Sequence, residues 1–145
     1  MAKTVVSIAT LGPVGYLPAP GTAATCVILP FMYLFSYLSF PSQLLLIGMV
    51  HLVGFFVIHK ALPYFSQPDP KQIVLDEFVG TLVTFAGIAY DPLIFLIGFC
   101  LFRLFDIFKP CGIGYVEKLP GAFGVVLDDS VAGLFANLVL RSFFV

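Results

Sequence analysis

Residues 73–90 read IVLDEFVGTLVTFAGIAY, with two adjacent carboxylates, Asp76 and Glu77, at the head of a segment that is otherwise apolar or small. A charge at mid-bilayer costs roughly 2.5–3.5 kcal/mol on insertion scales, so acids in such a setting need a reason. The pattern returns twice. Arg103, Asp106 and Lys109 close a second apolar segment, and Asp128-Asp129 open a third. Five of the chain's eight carboxylates and two of its seven cations fall in these three clusters.

The surroundings are close to hydrocarbon. Of 145 residues, 60% are hydrophobic and only 10% charged, and the mean hydropathy is +1.07. A soluble domain carries about 25% charged residues. This is the composition of an integral membrane protein, and residues 1–145 suit a single domain. The net charge is −1 and no basic run could track phosphates along a strand, so nucleic acid is not an expected partner. Three cysteines, Cys26, Cys100 and Cys111, make neither a disulfide framework nor a zinc motif. Cys26 and Cys100 are expected to pack as small hydrophobes. Gly12-Pro13 interrupts the short apolar stretch at the N-terminus, which argues against a cleaved signal peptide.

Crossing ~30 Å of hydrocarbon takes about 20 mainly apolar residues. Five segments are candidates: 24–40, 43–62, 73–90, a fourth that follows Asp91-Pro92 to residue 108, and a fifth from 125 to the C-terminus. Pro41, Pro63 and Lys109-Pro110 punctuate them. The expected fold is all-α, a membrane bundle of about five transmembrane helices preceded by a Pro/Gly-rich cytoplasmic loop. Strict alternation puts Lys3, Lys60, Lys71, Arg103, Lys109 and Lys118 on one side and only Arg141 near the other. The positive-inside rule makes the first side the cytoplasm. All three charge clusters then lie at that face, although they are far apart in sequence.

Helical spacing places Asp76, Glu77, Gly80, Thr81 and Thr84 on one face, and Asp129, Gly133, Ala136 and Asn137 on another. Small residues mark helix–helix contacts in membranes and polar ones face the bundle interior, so both acidic pairs should point inward. Helix N-capping is the plain alternative, but two consecutive carboxylates at each of two helix starts exceed what capping uses. Arg103 and Asp106 share a face, and Lys109 can fold back over it. An intrahelical ion pair with an anchoring lysine is the structural alternative. The functional one is a guanidinium that forks a phosphate while Asp106 joins a cage of oxygen ligands for a divalent cation such as Mg²⁺. Gly21 and Thr22 open a helix after Pro18 and Pro20, with Thr22 a candidate N-cap, and offer an anion site at that helix terminus. His59 can reach the same face as an acid or base, or serve as a polar anchor. His51 is expected to make an interhelical hydrogen bond. Asp69, Glu117 and Lys118 read as solvated loop charges.

Four stretches occur in order: Pro-Ala-Pro-Gly-Thr (18–22), Leu-Asp-Glu-Phe-Val-Gly-Thr (75–81), Phe-Arg-Leu-Phe-Asp-Ile-Phe-Lys-Pro (102–110) and Gly-Val-Val-Leu-Asp-Asp-Ser-Val-Ala-Gly (124–133). Together they make the chain, from about residue 11 to 140, resemble the phosphatidylglycerophosphatase A family. The resemblance implies a multi-pass enzyme of the bacterial inner membrane with its site at the cytoplasmic face. It also implies Mg²⁺-dependent removal of the terminal phosphate of phosphatidylglycerophosphate, a phosphorylated glycerophospholipid, in phospholipid biosynthesis. Asp76, Glu77, Arg103, Asp106, Lys109, Asp128 and Asp129 match the family's charged positions. On that reading Asp76, Glu77, Asp128 and Asp129, with Asp106 nearby, hold one or two Mg²⁺ ions, and Arg103, Lys109, Gly21 and Thr22 receive the phosphate. One carboxylate could instead be a covalent nucleophile.

Rival readings are a small ion carrier, a transferase acting on a CDP-activated lipid, and a non-catalytic membrane scaffold. An ion path would spread its acids over several depths. The transferase signature, with its acids gathered in one segment, is missing here. A scaffold would tolerate neutralising the acids.

Overall fold

The computed structural model describes residues 2–67, 70–110 and 112–144; Asp69 and Cys111, considered above, lie outside them. Among the described residues there is no strand. Seven helices follow one another: α1 (Ala2–Ala9), α2 (Pro20–Ser36), α3 (Phe40–Ala61), α4 (Leu75–Phe85), α5 (Pro92–Phe108), α6 (Ile113–Val116) and α7 (Ala122–Phe143). Single 3-10 turns lie at Val14–Tyr16 and Leu62–Tyr64. The five expected apolar segments are helices α2, α3, α4, α5 and α7, which run alternately up and down between two poles.

Their lengths depart from five equal spans. Phe40–Tyr64 and Ala122–Phe143 are long and apolar enough to cross a bilayer, whereas Pro20–Ser36 is apolar but shorter. Helix α4 has 11 residues rather than the 18 expected over 73–90, and at 1.5 Å per residue covers about half of the hydrocarbon thickness. Nine of those residues are buried, including Asp76, Glu77, Thr81 and Thr84, so α4 is the axis around which the other helices pack. The start of the chain also differs. Residues 2–9 are helical and lie against α3, and the Pro/Gly loop is confined to the segment between α1 and α2, where Leu11, Gly12 and Ala19 take positive φ.

A buried helix can stop early only if its free carbonyls find partners, because no water is available to them. Here Asn137 of α7 donates from Nδ2 to the carbonyls of Thr84 and Ala86, both at 2.9 Å. Arg141 adds a bond to the Ala86 carbonyl at 2.7 Å and another to Asn137 Oδ1 at 2.9 Å. Gly87, at φ +68°, turns the chain away and donates its N–H to Gln43 Oε1 at 2.6 Å. Gln43 in turn donates to the carbonyls of Phe35 and Leu38, at the end of α2 and just beyond it. The third expected segment is thus half helix and half a side-chain-satisfied extension.

The small residues do what their spacing predicts. A Cβ on Gly133 would run into the Gly80 carbonyl, and one on Gly80 would lie 2.6 Å from the Phe102 ring and 2.8 Å from the Asp129 carbonyl. The backbones of α4 and α7 therefore nearly touch. Thr81 and Thr84 turn their hydroxyls back onto the carbonyls of Glu77 and Gly80, so they add no unpaired donor to that contact. His51 makes the expected interhelical bond, with Nε2 2.9 Å from Ser130 Oγ. Cys26 and Cys100 are exposed on the bundle's outer surface, not packed inside it, because they fall on the faces of α2 and α5 turned away from α4. Tyr33, Tyr37 and Tyr90 cluster edge-to-face at the pole away from the acids.

Gly133→Val should force the two helices apart. Overpacking of this kind costs about 1–3 kcal/mol, to be read as a lowered thermal midpoint of the detergent-solubilised protein. An unchanged midpoint would mean the close contact does not exist.

Candidate active site

Three helices bring their charges to one pole. Asp76 and Glu77 lie in the first turn of α4, where free N–H groups and the helix dipole favour anions. Arg103 and Asp106 lie in the last turns of α5. Lys109 is the C-cap of α5, at φ +46°, with Pro110 ending the helix behind it. Asp128 and Asp129 were expected at a helix start, but α7 begins at Ala122 and leaves them nearly two turns inside it. That removes capping as their explanation: a side chain so deep in a helix cannot reach the free N–H groups of its first turn. All four acids on α4 and α7 are buried.

The cations are partly committed. Arg103 Nη1 lies 2.8 Å from Asp106 Oδ2, an i,i+3 pair, and 3.7 Å from Glu77 Oε1 on a different helix. The first lacks the angle of a hydrogen bond and the second is too long for one, so Nη1 and Nε of Arg103 are ion-paired or buried without a hydrogen-bond partner among the described residues. Lys109 Nζ donates to Asp128 Oδ2 at 2.5 Å and lies 3.2 Å from Glu117 Oε1. Burial alone would pull this ammonium's pKa down, but the contacts with Asp128 and Glu117 outweigh that and raise it above the usual lysine value. Lys109 is therefore a permanent cation. Glu117, expected to be a solvated loop charge, is exposed as expected and also pairs with Lys109.

Two triads of carboxylates share one member. Asp76, Glu77 and Asp129 form one, and Asp106, Asp128 and Asp129 the other; within each, one oxygen per residue lies within 4.8 Å of the others. Glu77 Oε2 and Asp129 Oδ2 are buried with no hydrogen-bond partner among the described residues. Buried polar atoms are almost always paired, and each one left unpaired costs about 1–3 kcal/mol. Acceptors and guanidinium donors thus stand side by side without hydrogen-bond partners among the described residues, and either could receive a ligand of opposite charge.

The groups line a cavity of about 440 Å³, together with Ala19, Pro20, Gly21, Thr22, Pro70, Lys71, Ile73 and Ile107. The N-terminus of α2 presses into it. A Cβ at Gly21 would strike Glu77 Oε1 and come within 2.8 Å of Arg103 Nη2, so a side chain there would have to displace both charged groups. Thr22 is not the N-cap: the helix starts two residues earlier, at Pro20, and the cap position is Ala19. His59 is exposed and lines a separate apolar groove with Phe55, Phe56, Pro120 and Phe123, so it does not join the acids. Lys71, counted from sequence only toward the orientation of the helices, borders the cavity; what placed it there is the fold of the segment before α4, which carries no spacing signal.

Comparison with known proteins decides the family. The family model described as "Phosphatidylglycerophosphatase A" matches residues 7–144. The chain belongs to the phosphatidylglycerophosphatase A family. The Haemophilus influenzae phosphatidylglycerophosphatase A is 35% identical over 126 residues, covering 85% of this chain and 77% of that protein. The Escherichia coli K12 protein of the same name is 28% identical over 123 residues, covering 83% and 72%. A Bacteroides thetaiotaomicron protein named "Putative phosphatidylinositol-3-phosphatase" is 29% identical over 136 residues, covering 87% and 84%. No solved structure matches the chain. Membership in the phosphatidylglycerophosphatase A family makes the chain a phosphoric monoester hydrolase, and its acidic pole is the candidate active site.

Gly21→Ala tests the cavity directly. The backbone at this position is ordinary helix, so the variant should keep its helix content by circular dichroism. Phosphate release should fall at least about tenfold, as expected when reacting groups are displaced by an ångström or so. Unimpaired release would show that α2 does not abut the site.

Proposed function

We propose that this protein hydrolyses the terminal phosphate of phosphatidylglycerophosphate to give phosphatidylglycerol and inorganic phosphate, as a step of phospholipid biosynthesis at the cytoplasmic face of a bacterial inner membrane. The observation that carries the reading is the meeting of five carboxylates with Arg103 and Lys109 in one cavity of a chain of this family. The cytoplasmic assignment rests on the lysines that alternation collects at the acidic pole.

We further propose Mg²⁺ as the cofactor. The donor set fits a hard divalent cation, being all carboxylate oxygen. Asp76, Glu77 and Asp129 would hold one ion, and Asp106, Asp128 and Asp129 a second if two bind. A bound cation would neutralise phosphate charge and lower the pKa of a water for in-line attack. The cavity is lined by five carboxylates and three cations, Lys71, Arg103 and Lys109, an excess of two negative charges, so a bound divalent cation would ease the approach of a phosphate dianion.

The chain's own groups do the rest. Arg103 carries unpaired donors and can fork two phosphoryl oxygens. Lys109, held by Asp128 and Glu117, places a second positive charge where the leaving alkoxide develops charge. The first N–H groups of α2, at Gly21 and Thr22, have no intrahelical acceptor and face the same cavity. The buried unpaired oxygens of Glu77 and Asp129 are positioned to accept a proton from an attacking water. A phosphoinositide substrate is a second reading, favoured by the Bacteroides relative's name. Both lipids carry a phosphomonoester beyond a phosphodiester, which is chemistry the same cavity can meet.

The test is phosphate release by detergent-solubilised protein from phosphatidylglycerophosphate, phosphatidylinositol 3-phosphate and phosphatidic acid, each with Mg²⁺ and with chelator. The expected result is Mg²⁺-dependent turnover, fastest on the first lipid. Asp129→Asn should fold and insert yet lose about a hundredfold or more in that turnover. Near-normal activity of this variant would sink the assignment, and preference for the inositol lipid would establish the second reading.

A further inference from the structure

The inner cations of the cavity are already matched to acids: Arg103 to Asp106 and Glu77, and Lys109 to Asp128 and Glu117. One cation on the cavity wall is not. Lys71 is exposed, borders the cavity between Pro70 and Ile73, and makes no ion pair among the described residues. It sits on the segment that leads into α4, on the solvent side of the buried acids. The neighbouring end of α5 is apolar: Ile107, which lines the cavity, is 61% exposed, and Phe108, next in the chain, 75%.

These placements give the cavity an order along its depth. Acyl chains belong against the exposed apolar face of α5, and the reacting monoester belongs among the buried carboxylates and Arg103. A lipid that joins the two carries its phosphodiester in between, at the rim. We propose that Lys71 binds this phosphodiester, and that it makes the enzyme prefer lipids with a second phosphate between the glycerol backbone and the reacting one. The proposal rests on the lipid phosphatase reading. An ammonium is suited to the task as a compact charge on a flexible stem, able to follow a headgroup that must enter and leave.

The experiment compares Lys71→Gln, Lys71→Arg and a control, Lys118→Gln, in mixed micelles of fixed anionic lipid content. The substrates are phosphatidylglycerophosphate, which has the diester, and phosphatidic acid, which lacks it. If phosphatidic acid is not turned over, its inhibition constant against phosphatidylglycerophosphate is read instead. Loss of one exposed charge–phosphate contact should raise KM for phosphatidylglycerophosphate about three- to tenfold in Lys71→Gln, with kcat unchanged. Phosphatidic acid should be unaffected, Lys71→Arg should restore most of the loss, and Lys118→Gln should change neither lipid. An equal effect on both lipids, a fall in kcat alone, or no effect at all would overturn the proposal. Wild-type protein that releases phosphate from phosphatidylglycerophosphate while Lys71→Gln shows no shift refutes only the role of Lys71. Wild-type protein inert on both lipids refutes the phosphatase reading, and this proposal with it.

Discussion

The close approach of α4 and α7 at Gly80 and Gly133 is the constraint on which the site depends. Asp129 belongs to both carboxylate triads, and its own carbonyl lies where a Cβ on Gly80 would fall. Two helices with ordinary side chains between them pack 8–10 Å apart. Side chains at such a contact hold the two backbones apart. Two glycines in register close the gap, and the Phe102 ring from α5 seals the side of the contact.

The two poles of the bundle solve opposite problems. At the pole away from the acids, α4 ends early, and Gln43, Asn137 and Arg141 satisfy the freed backbone groups, leaving Gly87 to redirect the chain. That pole is polar but complete. At the acidic pole the accounting does not close: among the described residues Glu77, Asp129 and Arg103 keep buried atoms without hydrogen-bond partners, on both the donor and the acceptor side. Structural polarity inside a membrane protein is normally satisfied within the chain, as it is at the first pole. The acidic pole departs from that pattern, and the proposed cation and phosphate would supply the partners it lacks.

Much of this was legible in the sequence because it follows from local patterns. Apolar runs broken at Pro41, Asp91-Pro92 and Pro110 marked the helices. The spacing Asp76, Gly80, Thr84 and Asp129, Gly133, Asn137 marked the faces that meet. The parity of the helices brought the charges to one end. What escaped was whatever depended on partners distant in sequence. Helix α4 stops at Phe85 because side chains of α3 and α7 can satisfy its broken end, and nothing in residues 73–90 reveals that. His59 has the right depth but the wrong direction around α3, and Lys71 has the right direction because of an irregular segment with no periodicity to read.

By itself, then, the sequence determined an all-helical chain, the faces of its helices, and a set of charges too costly to carry among apolar residues without a use. Those are properties of a residue and its near neighbours, set by hydrophobicity, helical period and the energy of a charge in a low dielectric. Only the tertiary structure decided which carboxylate oxygens of different helices stand close together, which cations are paired with acids, and which charged groups a side chain at position 21 would displace. These are distances between atoms on different helices, and they are set by how closely the backbones can pack.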